Sequence, residues 1–89
     1  MKTLQVTLSG SGANQITTTI TPFNQMIISN NTSHVTRYGD SAITSTKGPA
    51  IAANATVSIG PFAVISTGGD ASQWYIAGTA ADVIDVIVI

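Results

Sequence analysis

A chain of 89 residues has room for one domain with a modest core, since at this size folding buries only about 60 to 65% of the surface exposed in the unfolded chain. Lys2, Arg37 and Lys47 stand against Asp40, Asp70, Asp82 and Asp85, so 8% of residues are charged and the net charge is -1. Three scattered cations exclude a phosphate-neutralising surface, and the absence of cysteine excludes a disulfide framework or a thiolate metal site.

Ile and Val together number 19 and Thr 13, against 2 Leu, a composition that favours strands because β-branched side chains fit a pleated surface and lose rotamer freedom in helices. No apolar run approaches the ~18 residues of a membrane helix, and Met1-Lys2-Thr3-Leu4 opens no apolar leader segment, so neither a span nor a signal peptide is expected.

In chain order, Thr3 to Ser9 alternates, with Leu4, Val6 and Leu8 on one face and Thr3, Gln5 and Thr7 on the other, the pattern of a half-buried strand. Gly10-Ser11-Gly12-Ala13-Asn14 breaks it. Gln15 to Thr21 resumes alternation with Ile16 and Ile20 inward, and Pro22 is expected to end the pairing. Gln25 to Ser29 forms a short strand on Met26, Ile27 and Ile28, closed by a turn over Asn30-Asn31-Thr32-Ser33. His34 to Tyr38 is extended, Gly39-Asp40-Ser41 stops it, and a brief segment at Ala42 to Thr44 leads to the loop Lys47-Gly48-Pro49. Ala50 to Ala55, with four alanines, is the one place for a helical turn, too short to stand alone as a helix.

Thr56 to Ile59 alternates with Val57 and Ile59 inward, Gly60-Pro61 kinks the chain, and Phe62 to Ile65 is extended. Turns at Ser66 to Asp70 and at Gly78 to Asp82 flank a strand over Trp74 to Ala77. In the terminal strand, Ile84, Val86 and Val88 fill one face while Val83, Ile87 and Ile89 occupy the other, so both faces call for cover. About eight short strands punctuated by turns describe a single antiparallel β-sandwich over residues 1–89, with jelly-roll and immunoglobulin-like wirings both open. Residues 1–14 are its first strand or an arm that pairs with a neighbour.

Few residues carry chemistry. His34 lies near Ser33 and Asp40, but neighbours on a strand point to opposite faces, and a lone edge histidine is the expected reading. Asp40, Asp70 and Asp82 sit at turns, where Asp bonds its own backbone rather than calcium. Asp85, inside the apolar terminal strand, needs solvent, an edge or a cation such as Arg37. Phe62, Trp74 and Tyr75 are core fillers or interface anchors, the competing use being a stacking platform for a sugar. No catalytic, cofactor or metal residues are read. The expected contact residues are Leu4, Val6, Phe62, Trp74, Ile87 and Ile89.

From Gln25 onward the chain resembles small β-sandwich structural proteins encoded among the virion genes of tailed bacteriophages. The resemblance lies in the order of Met26-Ile27-Ile28-Ser29-Asn30-Asn31, Val35-Thr36-Arg37-Tyr38-Gly39-Asp40-Ser41 with its Ser/Thr-rich continuation to Gly48-Pro49, Ala53-Asn54-Ala55-Thr56-Val57-Ser58-Ile59, and Trp74-Tyr75-Ile76-Ala77-Gly78-Thr79-Ala80-Ala81-Asp82-Val83. It implies a non-enzymatic role on the particle: a decoration (cement) protein on the capsid exterior, or a head-fibre or tail component with a carbohydrate-binding role. The implied partners are the major capsid protein or other virion proteins, with self-association, a trimer by preference, and neither nucleic acid nor membrane.

Overall fold

The terminal strand sits in the middle of a sheet, and the pairing of the chain's two ends sets the architecture. The computed structural model describes residues 1–10, 12–60 and 69–89. In them the strands are β1 (Lys2–Thr7), β2 (Asn14–Gln15), β3 (Pro22–Phe23), β4 (Met26–Asn30), β5 (Thr36–Gly39), β6 (Ala50–Ile51), β7 (Ala55–Ile59), β8 (Gly69–Asp70), β9 (Tyr75–Ala77) and β10 (Val83–Val88), with one 3₁₀ turn at Ala71–Gln73.

The strands pair as a nested set: β1 with β10, β2 with β9, β3 with β8, β4 with β7 and β5 with β6, all antiparallel. The chain is thus one long two-stranded ribbon whose tip is the loop between β5 and β6. A flat ribbon cannot bury its apolar face, and this one rolls up, adding the antiparallel contacts β10 to β4 and β5 to β9. Two four-stranded sheets result, ordered β1-β10-β4-β7 and β2-β9-β5-β6, while β3-β8 forms a two-stranded piece where the ribbon passes from one sheet to the other. This is jelly-roll wiring, and it decides the alternative that the strand pattern left open.

The core lies between the sheets. On β10, Ile84 and Val86 are fully buried, whereas Val83 is 41% exposed, and Ile89, just past the strand, is 53% exposed. The inner face of β10 is therefore covered by its own domain, against Val6, Ile28, Ile51 and Ile76, and its outer face is not. Burying one such side chain is worth about 1.5–3 kcal/mol.

Three local expectations are corrected. Gln15 to Thr21 is not a strand: only Asn14–Gln15 pairs, Ile16 is buried, and Ile20 is 74% exposed. Pro22 opens a strand instead of ending one, which its missing N–H permits at the first position of a two-residue pairing. Its partner is Asp70, and the next pair sets Phe23 against Gly69, where a Cβ would lie 2.5 Å from the Phe23 ring.

Ala50 to Ala55 forms no helical turn. Ile51 pairs with Thr36 and enters the core, Asn54 takes the left-handed conformation at φ 58°, and β7 begins at Ala55. Burial of one isoleucine outweighs the weak helical preference of a short alanine run. The strand expected at Phe62 to Ile65 lies outside the described residues.

The two faces of β10 predict an asymmetric mutational response. Ile84→Ala is expected to cost roughly 2–5 kcal/mol in denaturant unfolding, whereas Val83→Ala, next to it in sequence, should cost about 0.5 kcal/mol or less. Equal losses would show that both faces of β10 are buried.

Candidate interaction surface

The register of the β1-β10-β4-β7 sheet fixes which side chains share its outer face. One row across the strands reads Thr3, Ile87, Ile27 and Ser58, the next Gln5, Asp85, Ser29 and Thr56, and Thr7 pairs with Val83 beside them. Ile87 and Ile27 are half-buried neighbours at the middle of this face, with hydroxyl and amide side chains on either side. Asp85 is the one charge in these rows. Its carboxylate is occupied, accepting from Gln5 Nε2 at 3.0 Å and from Asn31 Nδ2 at 3.3 Å.

Arg37 does not serve Asp85. It lies in the other sheet, pairing with Ala50 and Ala77 in register, and donates from its guanidinium to the Gly48 carbonyl at 2.9 Å. The proposed ion pair is replaced by two amide donors, and the sheet face stays close to neutral.

At one end of the sandwich four connections are tied together. Leu8 N donates to the Asp82 carbonyl and Ala81 N to the Leu8 carbonyl, both at 2.9 Å, and Asn54 N donates to the Thr32 carbonyl at 3.1 Å. Asn30, fully buried at the end of β4, is the hub. Its Nδ2 faces the carbonyls of His34, Ile51 and Ala52 at 2.8, 3.1 and 3.1 Å, while its Oδ1 accepts from Thr32 N at 3.2 Å and Thr32 Oγ1 at 2.7 Å. The sequence reading places Asn30 in a turn. The structure makes it the residue that bonds the turn to β6.

His34 Nδ1 lies 2.9 Å from Asp82 Oδ2, linking the β4–β5 and β9–β10 loops. Asp40, the nearby carboxylate in sequence, caps its own turn by accepting from Ala42 N at 2.9 Å. The trio Ser33, His34 and Asp40 is therefore not assembled around the imidazole. The actual partner was hidden from sequence reading because it lies 48 residues away.

Asp70 does what a turn aspartate is expected to do. Its Oδ1 accepts from Thr21 N and Ser72 N at 3.0 Å and from Ser72 Oγ at 2.9 Å. The Thr21 amide first, then the Ser72 amide and hydroxyl, hold its carboxyl below the usual carboxylate range, with burial opposing them. Among the described residues no group of three or more His, Cys, Asp or Glu is placed to hold a metal ion.

An open cleft of about 230 Å³ is lined by Gly39, Asp40, Gln73 and Trp74. Trp74 is partly buried and packs on the core. Tyr75 follows it in extended backbone and pairs with Gly39 and Gln15, so the two rings point to opposite sides and do not make a joint platform.

The other expected contact residues divide. Val6 is buried in the core and Leu4 packs against it. Ile87 stands on the outer face, Ile89 is exposed with its backbone bonded to Gln25, and Phe62 lies outside the described residues. Ile27 escaped the sequence reading, which took Met26, Ile27 and Ile28 as one apolar run. Its pairing with Ile87 is the signal that singles it out.

Comparison of the chain with protein-family models, with curated proteins and with solved structures finds no match.

Two outcomes follow from these sites. Asn30→Ala takes the amide donor from the carbonyls of Ile51 and Ala52 and from that of His34, which keeps the Thr32 hydroxyl, and should cost roughly 2–4 kcal/mol by chemical denaturation. A loss under about 0.5 kcal/mol would deny Asn30 its role as hub. Because the folded-state pKa of Asp70 is depressed, its contribution to stability is present above the unfolded value of about 3.9 and is lost as pH falls through the lower folded value. Asp70→Asn should therefore reduce stability at pH 7 and flatten the acid limb of the stability curve below about pH 4.

Proposed function

We propose that this chain is a non-enzymatic structural protein of a tailed-phage virion, a decoration protein that binds the capsid exterior at many equivalent positions. The observation that carries the reading is the outer face of the β1-β10-β4-β7 sheet, where Ile27 and Ile87 meet among hydroxyls and amides and the single carboxylate is already bonded. Interface centres are depleted of charge and ringed by polar groups in this way. The resemblance in the second half of the sequence supports the same role.

The mechanism is mass action. A protein that binds only the assembled lattice favours it by RT ln(1 + [L]/Kd), about 2.7 kcal/mol per site at a hundredfold excess over Kd. Its effect grows with the number of sites, so a small domain with modest affinity suffices.

A second reading, a head-fibre or tail component that binds host-surface carbohydrate, is supported by the cleft that Trp74 lines together with Asp40 and Gln73. Its discriminating observation is the Trp74 fluorescence when host polysaccharide is added.

Quantitative mass spectrometry of purified particles tests the first reading: hundreds of copies for each particle are expected, and absence from the particle ends it. On such particles Ile87→Thr should lower occupancy while reducing the stability of the free protein by about 1 kcal/mol or less. Unchanged occupancy would move the contact away from this face.

A further inference from the structure

The edge of β1 carries an inference of its own. The strand is six residues long, among the described residues it pairs only with β10, and from Thr3 to Thr7 it has no charge and no proline. Exposed edges are normally blunted by charge, proline, a bulge or brevity. Here β2 and β6, edges of the other sheet, are two residues each, and β1 has none of these protections beyond Lys2 at its first position.

The direction of its free backbone groups follows from the ladder. Leu8 donates to the Asp82 carbonyl and accepts from Ala81 N, so Leu8 faces β10. Alternation along an antiparallel strand then turns the N–H and C=O of Thr3, Gln5 and Thr7 outward. The side chains of these three residues lie on the outer face of the sheet, and those of Leu4 and Val6 on the core face.

We infer that β1 pairs with β1 of a second copy of this chain about a two-fold axis at Gln5. In that register Gln5 opposes Gln5, Thr3 opposes Thr7, and Leu4 opposes Val6, so outward backbone groups meet outward ones and each side chain meets one from its own face of the sheet. Shifting the register by one residue would set Thr3 against Val6 and break both matches. Lys2 falls opposite Leu8 of the other copy. The two ammoniums then stand about 20 Å apart, at opposite ends of the paired strands and beyond the screening length.

This symmetry is specific to a second copy, because an unrelated strand would satisfy the backbone but has no reason to reproduce the rows. A two-fold contact closes on itself and removes the free edge, giving a dimer in place of the expected trimer.

Gln5 provides the test. Gln5→Lys sets two ammoniums directly across the axis, where hydrogen-bonded partners have Cα atoms about 5.5 Å apart. Within one chain the new ammonium faces Asp85, which now accepts from the Gln5 amide at 3.0 Å, so the fold is retained. Light scattering of the native protein should give a mass rising toward two chains with concentration, and Gln5→Lys should raise the dimer dissociation constant on the order of tenfold or more, with an unchanged melting temperature at low concentration.

Since the chain has no cysteine, Gln5→Cys reports independently. The Cα separation of about 5.5 Å suits a disulfide, so mild oxidation should yield a covalent dimer. Thr3→Cys should not, its equivalents being about 13 Å apart in this register. A native chain that remains single up to about 1 mM, a dimer indifferent to Gln5→Lys, or equal cross-linking by Thr3→Cys overturns the inference. These readouts use the isolated protein, and so they are separate from its copy number on a particle.

Discussion

Pairing of β1 with β10 runs from Lys2 against Val88 to Thr7 against Val83, and every other ribbon pair is nested inside it. Closing so long a loop directly has a large entropic cost, but that cost grows only logarithmically with loop length, and each inner pair shortens the loop left for the next. Nesting therefore makes the outermost contact accessible once β5·β6 and β4·β7 have formed. It also makes the outermost contact decisive. Without β10 the first sheet loses its centre, and among the described residues β1 loses its only partner strand and β4 one of its two. A topology built from such distant pairs folds slowly, with its apolar strands exposed to one another for longer than in a helical protein of this size.

Charge scarcity meets this constraint from the other side. In many β proteins charges on edges and outer faces keep folded copies apart. Here Asp85 is held by Gln5 and Asn31, His34 holds Asp82, and Arg37 turns to the Gly48 carbonyl within its own sheet. These ionic groups hold loops and rows within the molecule, and the outer face of the first sheet is left mainly to Thr, Ser, Gln and two isoleucines. Polar uncharged side chains are cheaper to desolvate than ions, so this surface can be covered by another at small cost.

Much of the fold was legible in the sequence, and the failures have a common cause. Alternation in Thr3 to Ser9 was strong because that strand presents one face to a thick core. The terminal strand is apolar on both faces, and of the two it is the face of Ile84, Val86 and Val88 that is buried, while Val83 is 41% exposed. Ile20 and the stretch Ala50 to Ala55 misled because their periodicity is only local. Whether an isoleucine there points in is decided by a partner strand, Thr36 for Ile51, and Ile20 has no such partner among the named strands. The surface was less legible than the fold. Ile27 reads as core among its neighbours until β10 sets its register, and Asn30 reads as a turn residue until the carbonyls of β6 arrive beside it. The pairing of His34 with Asp82 likewise exists only because the jelly roll brings the β4–β5 and β9–β10 loops to one end.

The two proposals reinforce each other through geometry. A two-fold axis that joins β1 to β1 with each side chain on its own face stands perpendicular to the sheet, so the outer faces of both copies look the same way. Ile27 and Ile87 of one copy and their equivalents then lie on one continuous eight-stranded surface. For a protein that binds a lattice, two contact faces on one rigid body convert the second contact into an intramolecular event, and avidity then exceeds the affinity of either face without any new contact. The open edge and the uncovered face, each a liability in a solitary domain, become in the dimer a single platform whose backbone is fully paired at its centre.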